Sequence, residues 1–463
     1  MTTHFDLCVL GSGAVGQTVA YGGRKAGLSV AVIETQAPGG TCPNRGCDAK
    51  KPYVNAAGLM YRSNLLAAAG GGIAPATLDW ATIAAFKKSF TDPVGDLTAA
   101  DLRKAGVELI AGQPAFTGPG TVVVGEQTIT ADRFVIATGQ TPRPLSVPGG
   151  ELTVDSDAFL ELDDLPHRVT FIGGGYVGME FACAAAMAGR EVTVVATRAH
   201  VLAGFDPDIV STMEAALADL GPHGVTVVPN QRVGSVTQTK EGVTVHANDD
   251  AATALATADL VVNTTGRVAS VDGMNLDAAG VKVSRRGVVV DGHLRTDNPA
   301  IWAGGDVADN GRPALIPTAV DDARVLAHNL FVAADESQWQ PRPAKAHASV
   351  AFTLPAVSGV GLTEDEARDA HGDAVHVAGG NFATKKFFRE LGQPHVAWKM
   401  IFGPDRRLIG AHLAAEGSDE VINLLGLTLG QIPEESALYN ATLTYPSVSA
   451  AVQTAFRKAA KQA

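Results

Sequence analysis

The chain has 463 residues, room for about three domains of ordinary size. Apolar residues make up 46% and charged residues 18%, which fits large cores and excludes a disordered chain. The net charge of −12 argues against nucleic acid or an anionic membrane surface as a partner.

Residues Phe5 to Leu10 read as a buried parallel strand. Nothing before them has the basic and then apolar pattern of a signal peptide. No later stretch reaches about 18 apolar residues free of charge, so no membrane span is expected. Gly11, Gly13 and Gly16 follow at once in GSGAVG, a helical stretch runs to about Gly27, and Ser29 to Ile33 is a second apolar strand ending at Glu34. Strand, Gly-rich turn, helix, strand and acid make the frame of a dinucleotide-binding fold. The acid falls about 20 residues past the glycines, where a ribose hydroxyl is held. The alternative is a Gly-rich loop that only packs helix on strand.

Cys42 and Cys47 come next, in GGTCPNRGCDAKK. Pro43 and Gly46 bend the connection and bring the two sulfurs within reach of a disulfide. Lys50 and Lys51 lie within about one helical turn of Cys47, where positive charge favours a thiolate. The alternative is a pair of structural thiols. The chain has four cysteines, too few for a disulfide framework, and one close pair suggests redox work in a reducing, cytoplasmic setting.

From Gly58 to Leu102 the pattern is largely helical, with a Gly-Gly-Gly break at 70–72. Val107 to Val124 reads as short strands. Arg133 to Gly139 is a strand ending in a small-residue turn that permits close approach of a cofactor. Pro142, Pro144 and Pro148 mark a domain boundary.

The frame then repeats. Val169 to Ile172 is a strand, Gly173, Gly175 and Gly178 lie in GGGYVG, a helix runs to about Ala188, and Glu191 to Val195 is the next strand. Ala196 stands where the first frame has Glu34, and Arg198 follows. An acid holds a 2′-hydroxyl and repels a 2′-phosphate, whereas arginine accommodates the phosphate. The second site therefore leans toward NADPH, with NADH possible. The alternative for Arg198 is a solvated surface arginine.

Val225 to Val245 and Thr257 to Val262 give more strands, closed by NTTGR at 263–267. IWAGGDVAD places Asp306 near the C-terminal end of a strand, where ligands of such sheets bind; a cap is the alternative. Pro317 and Thr318 open a helix to about Leu330 whose N-terminus favours negative charge nearby. Gln338 to Lys345 reads as a linker. The last 120 or so residues alternate strands (Ser349 to Phe352, Val396 to Phe402, Leu408 to Ala414) with helices (Glu364 to Ala370, Ser418 to Leu429, Ser447 to Lys461). They suggest a separate association domain. The expected class is α/β: two Rossmann-like dinucleotide-binding domains plus a C-terminal α+β dimerisation domain. The expected boundaries are 1–147 with 270–340, then 148–269, then 341–463.

The combination resembles the flavin-dependent pyridine nucleotide–disulfide oxidoreductases, the family of glutathione reductase, dihydrolipoamide dehydrogenase and mercuric reductase. GSGAVG with Glu34, GGTCPNRGC, ATG at 137–139, GGGYVGMEFA, TGR at 265–267, GGDV at 304–307 and VGLTEDEA at 360–367 occur in the family's order. The resemblance implies FAD in the first fold, with Gly11, Gly13, Ala14 and Gly16 at its pyrophosphate, Glu34 at the adenosine ribose and Asp306 at the ribityl chain. Gly40, Thr41, Lys51, Thr138, Gly139, Thr318 and Ala319 would complete that site. It implies the nicotinamide nucleotide at Gly173, Gly175, Tyr176, Val177 and Gly178, with Arg198, Gly266 and Arg267. Gly178, where NADPH-using relatives often carry Ala, pulls toward NADH. Cys47 matches the cysteine facing the flavin and Cys42 the one that attacks the acceptor. Lys50 matches the lysine beside the flavin, and Glu180 its ion-pair partner. No metal site is expected.

The C-terminus departs from that pattern. In LTYPSVSAAVQTAF, Tyr445 stands where disulfide-reducing members carry His, and Ala450 where they carry Glu. Tyrosine has an ordinary pKa of about 10 against about 6.5 for histidine, so it donates a proton but is a poor base at neutral pH. Mercuric reductase also looks to carry Tyr in this region but adds a C-terminal cysteine pair; this chain ends in RKAAKQA. Cys8 and Cys183 read as inert core thiols. The expected activity is transfer of electrons from NADPH through FAD and the cysteine pair to a small-molecule acceptor, a small disulfide first. The alternatives are a quinone, a metal ion, diaphorase activity or redox sensing with little turnover. The resemblance also implies a homodimer, with Tyr445 reaching the other subunit's cysteine pair.

Overall fold

In the computed structural model, which describes residues 2–250, 252–343 and 347–463, the apolar run at the end of the first strand is wholly buried. That strand, Thr2–Leu10, pairs in parallel with Val30–Glu34 on one side and Gln127–Ile136 on the other, at the centre of a seven-stranded sheet. Side chains alternate across it, as a pleated strand requires. Leu7 and Val9 pack with Val19, Ala323 and Leu326 of the helices Ala14–Lys25 and Ile316–Phe331. Cys8 and Leu10 pack on the opposite face with Phe116, Phe134 and Val288. Burying each such apolar side chain is worth about 1.5–3 kcal/mol.

The chain divides into two compact units. The first comprises Met1–Lys51, Ala85–Arg143 and Arg267–Lys345, and is built on this sheet. The second comprises Pro52–Ala84, Pro144–Gly266 and Ala346–Ala463. It contains a parallel five-stranded sheet in the order Val225–Val228, Glu191–Val195, Arg168–Ile172, Leu260–Asn263, Val154–Asp155. It also contains an antiparallel five-stranded sheet in the order Ser349–Ala351, Val357–Gly361, Leu408–Ala414, Ala397–Phe402, His376–Asn381. The helix Tyr176–Met187 is buried on all sides from Gly178 onward, which explains its run of alanines. Among the described residues no helix is long and apolar enough to cross a membrane.

Three elements differ from the sequence reading. The strands Val357–Gly361 and His376–Asn381 are not visible as alternating patterns, because glycines occupy positions that larger neighbours fill. A Cβ on Gly359 would meet the His412 ring at 2.6 Å, and one on Gly380 would meet Trp398 at 3.2 Å. The long helix begins at Cys47 and runs to Ala68, eleven residues ahead of the expected Gly58, with Pro52 inside it. Proline inside a pattern reads as a break, yet here it falls within the first two turns.

One ion cluster holds the second unit's sheets together. Lys399, almost fully buried, places Nζ 2.9 Å from Asp206, 2.6 Å from Asp208 and 2.9 Å from Glu364. Burial opposes its charge, but the three carboxylates outweigh burial and hold its pKa above the ordinary lysine value. Asp206 has no solvent exposure and caps the helix Pro207–Glu214. Replacing Lys399 with Met strands that carboxylate, so urea unfolding of Lys399→Met is expected to show a stability loss of about 3–5 kcal/mol. A loss below about 1 kcal/mol would show that the cluster is not needed.

Candidate active site

The backbone of the first glycine turn is too crowded for side chains. A Cβ on Gly16 would lie 2.0 Å from the Gly11 carbonyl oxygen, and one on Gly11, at φ +101°, would lie 2.4 Å from the Ala137 carbonyl oxygen. Gly40, at φ +79°, has no room for a Cβ either: it would lie 2.6 Å from Gly13 Cα. Two chains therefore cross at Gly13 and Gly40, immediately before the cysteine pair. Glu34 ends the neighbouring strand and is already held. Ser12 N–H and O–H donate to its Oε2 at 2.9 and 2.6 Å, and the N–H groups of Thr35 and Gln36 donate to its Oε1 at 2.9 and 3.1 Å. Gly39 N–H donates to Ser12 Oγ at 3.0 Å, tying this network to the segment that leads into Cys42.

Cys42 lies on the short helix Thr41–Arg45, and Cys47 opens the helix Cys47–Ala68. Gly46 makes the junction possible: a Cβ there would sit 2.9 Å from the Thr41 carbonyl and 3.1 Å from Cys42 Cα. All four cysteines are free thiols. Cys42 and Cys47 are hydrogen-bonded to each other, and this bond is the largest influence on both. It raises Cys42, with burial adding to the rise, and it lowers Cys47 to about 7, helped by the Lys50 charge against burial and Asp48. The proton therefore sits on Cys42 and the negative charge on Cys47, at the positive end of a helix. Cys8 and Cys183 are buried, and burial pushes Cys183 up to about 12 and Cys8 higher still.

Asp306 follows the strand Ile301–Ala303 in the short turn Gly305–Val307. Burial pushes its carboxyl up, opposed by the Arg267 charge. Its turn is anchored by a residue absent from the sequence reading. Asp322, fully buried on the helix Ile316–Phe331, accepts from Gly305 N–H at 3.0 Å and from Asn310 at 2.8 Å. Buried carboxylates inside a helix are rare enough to have flagged it. A cleft of about 290 Å³ opens beside Asp306, and Arg143, Arg267, Arg285, Arg286 and Arg312 are among the residues that line it. Arg267 donates there to Gln140 O at 2.9 Å, and it is not among the residues lining the cleft of the second glycine turn.

Thr138 and Thr318 each bury a hydroxyl that has no hydrogen-bond partner. Such orphaned donors cost about 1–3 kcal/mol each unless a bound group satisfies them. Together with the Gly13–Gly40 crossing, they fit a flavin nucleotide lying along this edge. Ala14 opens the helix Ala14–Lys25 and Ala319 lies in the first turn of the helix Ile316–Phe331, while Gly139, at φ +67°, has open space around it. Lys51 stands one residue beyond Lys50 on the cysteine helix.

The second glycine turn repeats the geometry. A Cβ on Gly178 would lie 2.1 Å from Gly173 O, and one on Gly173, at φ +115°, would lie 2.5 Å from Thr264 O. A cleft of about 390 Å³ runs past Gly173 to Gly175, Arg198, His200, Arg232 and Gly266. Its wall is fixed by Leu202 N–H donating to Gly174 O at 2.7 Å and by Gln231 N–H donating to Ala196 O at 2.9 Å. Arg198 is exposed within it, with no carboxylate at Ala196. Arg232 shares the cleft and was not singled out from sequence; its place just past the C-terminal end of the strand Val225–Val228 was the available signal. Tyr176 packs its ring 5.2 Å from Phe205, and Val177 follows it on the helix. Glu180 is buried and accepts from Phe352 N–H at 3.1 Å. Tyr445 is 76% exposed. Ala450, on the helix Val448–Ala460, donates its N–H to the Ser447 cap at 3.1 Å.

Two glycine-turn nucleotide folds and a cysteine pair at a helix start define a pyridine nucleotide-dependent flavoprotein. Residues 5–323 match the family profile described as pyridine nucleotide-disulphide oxidoreductase, and residues 347–456 match that family's dimerisation domain. The chain belongs to this family, whose members depend on FAD and use NAD(P)H. It is 31% identical to a glutathione reductase from Nostoc sp., over 91% of this chain and 93% of that one. It is 29% identical to a mercuric reductase from Bacillus cereus, over 94% of this chain and 69% of that one. The Cu(II) complex of the HOCl-induced flavoprotein disulfide reductase RclA from Escherichia coli superposes with a TM-score of 0.86 at 26% identity, covering 98% of this chain and 99% of that one.

The sulfur geometry has a pH signature. Alkylation of Cys47 in the reduced protein is expected to rise through a midpoint near pH 7 and to fall about tenfold per unit below it, since only the thiolate reacts. Lys50→Met removes a stabilising charge and should move that midpoint upward. A midpoint above 8.5 in the unsubstituted protein would contradict the assigned charge distribution. At the crossing, Gly40→Ala is expected to lower the FAD content per chain severalfold, read from flavin absorbance of the purified protein; full occupancy would show that the crossing does not shape the site.

Proposed function

We propose that electrons pass from NADPH, held in the cleft at Gly173, through FAD to Cys42 and Cys47, and from there to a small disulfide. The hydrogen bond between the two sulfurs, with the proton on Cys42 and the charge on Cys47, carries this reading. Arg198, assisted by Arg232, holds the 2′-phosphate of the nucleotide, and the absence of an acid at Ala196 leaves that phosphate unopposed. Gly11, Gly13, Gly16 and Gly40 admit the FAD pyrophosphate, Glu34 holds the adenosine ribose and Asp306 the ribityl chain. When bound, FAD supplies two-electron hydride uptake and its delivery to sulfur. The Lys50 charge helps to keep Cys47 a thiolate. The domain assignment proposed is an FAD-binding part at 1–147 with 270–340, an NAD(P)-binding part at 148–269 and a dimerisation part at 341–463.

The residues then balance the exchange. Cys42 gives up its proton and attacks one sulfur of the acceptor disulfide; a mixed disulfide forms and the first thiol leaves with that proton. Cys47 next attacks Cys42, which releases the second thiol and restores the Cys42–Cys47 bond. The second departing sulfur takes its proton from solvent through the Tyr445 hydroxyl, donated from the second subunit of a homodimer. The 76% exposure of Tyr445 in the single chain supports a surface that another copy covers.

A second reading has its own support. A thiophilic metal ion bound by the two sulfurs needs no proton on a leaving group, so Tyr445 in place of histidine is no handicap there. The mercuric reductase relative and the Cu(II)-complexed neighbour point the same way. One panel separates the two: NADPH or NADH with oxidised glutathione, lipoamide, cystine-type disulfides, quinones, Hg(II) and Cu(II). The expected result is disulfide turnover that falls at least 100-fold in Cys42→Ser and at least tenfold in Tyr445→Phe. Metal turnover insensitive to Tyr445→Phe, with no disulfide turnover, selects the second reading. Full acceptor rates in Cys42→Ser would sink both and leave a diaphorase. For the nucleotide, Arg198→Ala and Arg232→Ala are each expected to lower kcat/KM for NADPH by 10-fold or more (~1.4 kcal/mol) while changing that for NADH by less than threefold; equal losses for both nucleotides would remove the phosphate contact.

A further inference from the structure

We propose that His167, Glu191 and His223 form a surface site for a divalent transition-metal ion of the Zn(II) or Cu(II) type, separate from the nucleotide cleft and the cysteine pair. One ligand atom from each residue lies within 4.8 Å of the other two. His167 Nδ1 is 3.8 Å from Glu191 Oε1, and the two imidazole rings stand 5.7 Å apart. Two imidazoles and one carboxylate are the donor set that borderline ions prefer, at bond lengths of about 2.0–2.2 Å. All three side chains are exposed, so closing to that spacing asks for side-chain rotation at the surface and no repacking of a core.

The backbone already gathers them. His167, Glu191 and His223 each stand just before or at the start of one of three neighbouring parallel strands, Arg168–Ile172, Glu191–Val195 and Val225–Val228. They therefore share the N-terminal edge of this sheet, the edge opposite the Gly173 turn. Glu191 N–H donates to His167 O at 2.9 Å, which locks the first two in register. His223 is set by a turn with no freedom: Gly221 lies at φ +63° with its Cβ position 2.0 Å from Ala186 O, and Gly224 lies at φ +71° with its N–H bonded to Leu220 O at 2.9 Å. Arg168 makes its hydrogen-bonded ion pair with Asp259 at 2.5 Å and attracts Glu191 only through space. The three residues are far apart in sequence and form no local ligand motif; only the parallel register brings them together.

The test uses FAD-loaded protein carrying Cys42→Ser and Cys47→Ser, so that those thiols take up no metal. Calorimetric titration with Zn(II), and separately with Cu(II), is expected to give about one ion per chain. Adding His167→Ala or His223→Ala is expected to weaken uptake at least tenfold, and electron paramagnetic resonance of bound Cu(II) should lose nitrogen coupling in step. Each variant is checked by circular dichroism; should a histidine variant misfold, Glu191→Gln gives the same comparison. Absence of near-stoichiometric uptake, or uptake that these substitutions leave within twofold, overturns the site.

Discussion

The contact between Cys42 and Cys47 is the constraint on which the rest of the first unit's chemistry depends. Two helices, Thr41–Arg45 and Cys47–Ala68, meet at Gly46, where any side chain would strike the Thr41 carbonyl. Without that tight junction the sulfurs would not share a proton. With it, one sulfur keeps the proton and the other keeps the charge, stabilised by Lys50 and the start of a 22-residue helix. A dithiol divided in this way is the reduced form of the pair and holds two electrons to give up on closing to a disulfide.

The glycine turns serve a related purpose by steric means. At Gly11 and Gly16, and again at Gly173 and Gly178, backbone carbonyls come so close that a methyl group would overlap them. That closeness packs each helix start against its strand and leaves its N–H groups facing the ligand edge. The two frames differ in what flanks them. The first ends in Glu34, already bound by four donors, whereas the second has Ala196 and two arginines, Arg198 and Arg232. On the function proposed above, charge at this one position separates a ribose hydroxyl site from a phosphate site.

Buried charges elsewhere act as supports. Lys399 with its three carboxylates fixes the start of the helix Pro207–Glu214, directly after the loop that carries Arg198 and His200. Asp322 fixes the Gly305 turn and through it Asp306. These residues touch no expected ligand. Their burial makes each expensive to disturb, which is how a loop keeps a shape that its own sequence does not dictate.

Local pattern alone was enough for the two strand–glycine–helix frames, the acid at Glu34 and the cysteine pair, because each is written within about 30 consecutive residues and follows from backbone periodicity and turn chemistry, while the departure at Tyr445 was legible only against the family's pattern. Tertiary structure alone decided the rest. The strands Val357–Gly361 and His376–Asn381 are glycine-rich because His412 and Trp398, distant in sequence, fill the space beside them. Arg232 joins Arg198, Asp322 reaches Gly305, and His167, Glu191 and His223 share an edge only when strands register side by side. Lys50 and Lys51 already pointed to a thiolate at Cys47, but that Cys42 holds the shared proton depends on the hydrogen bond between the two sulfurs, which no spacing in the chain specifies.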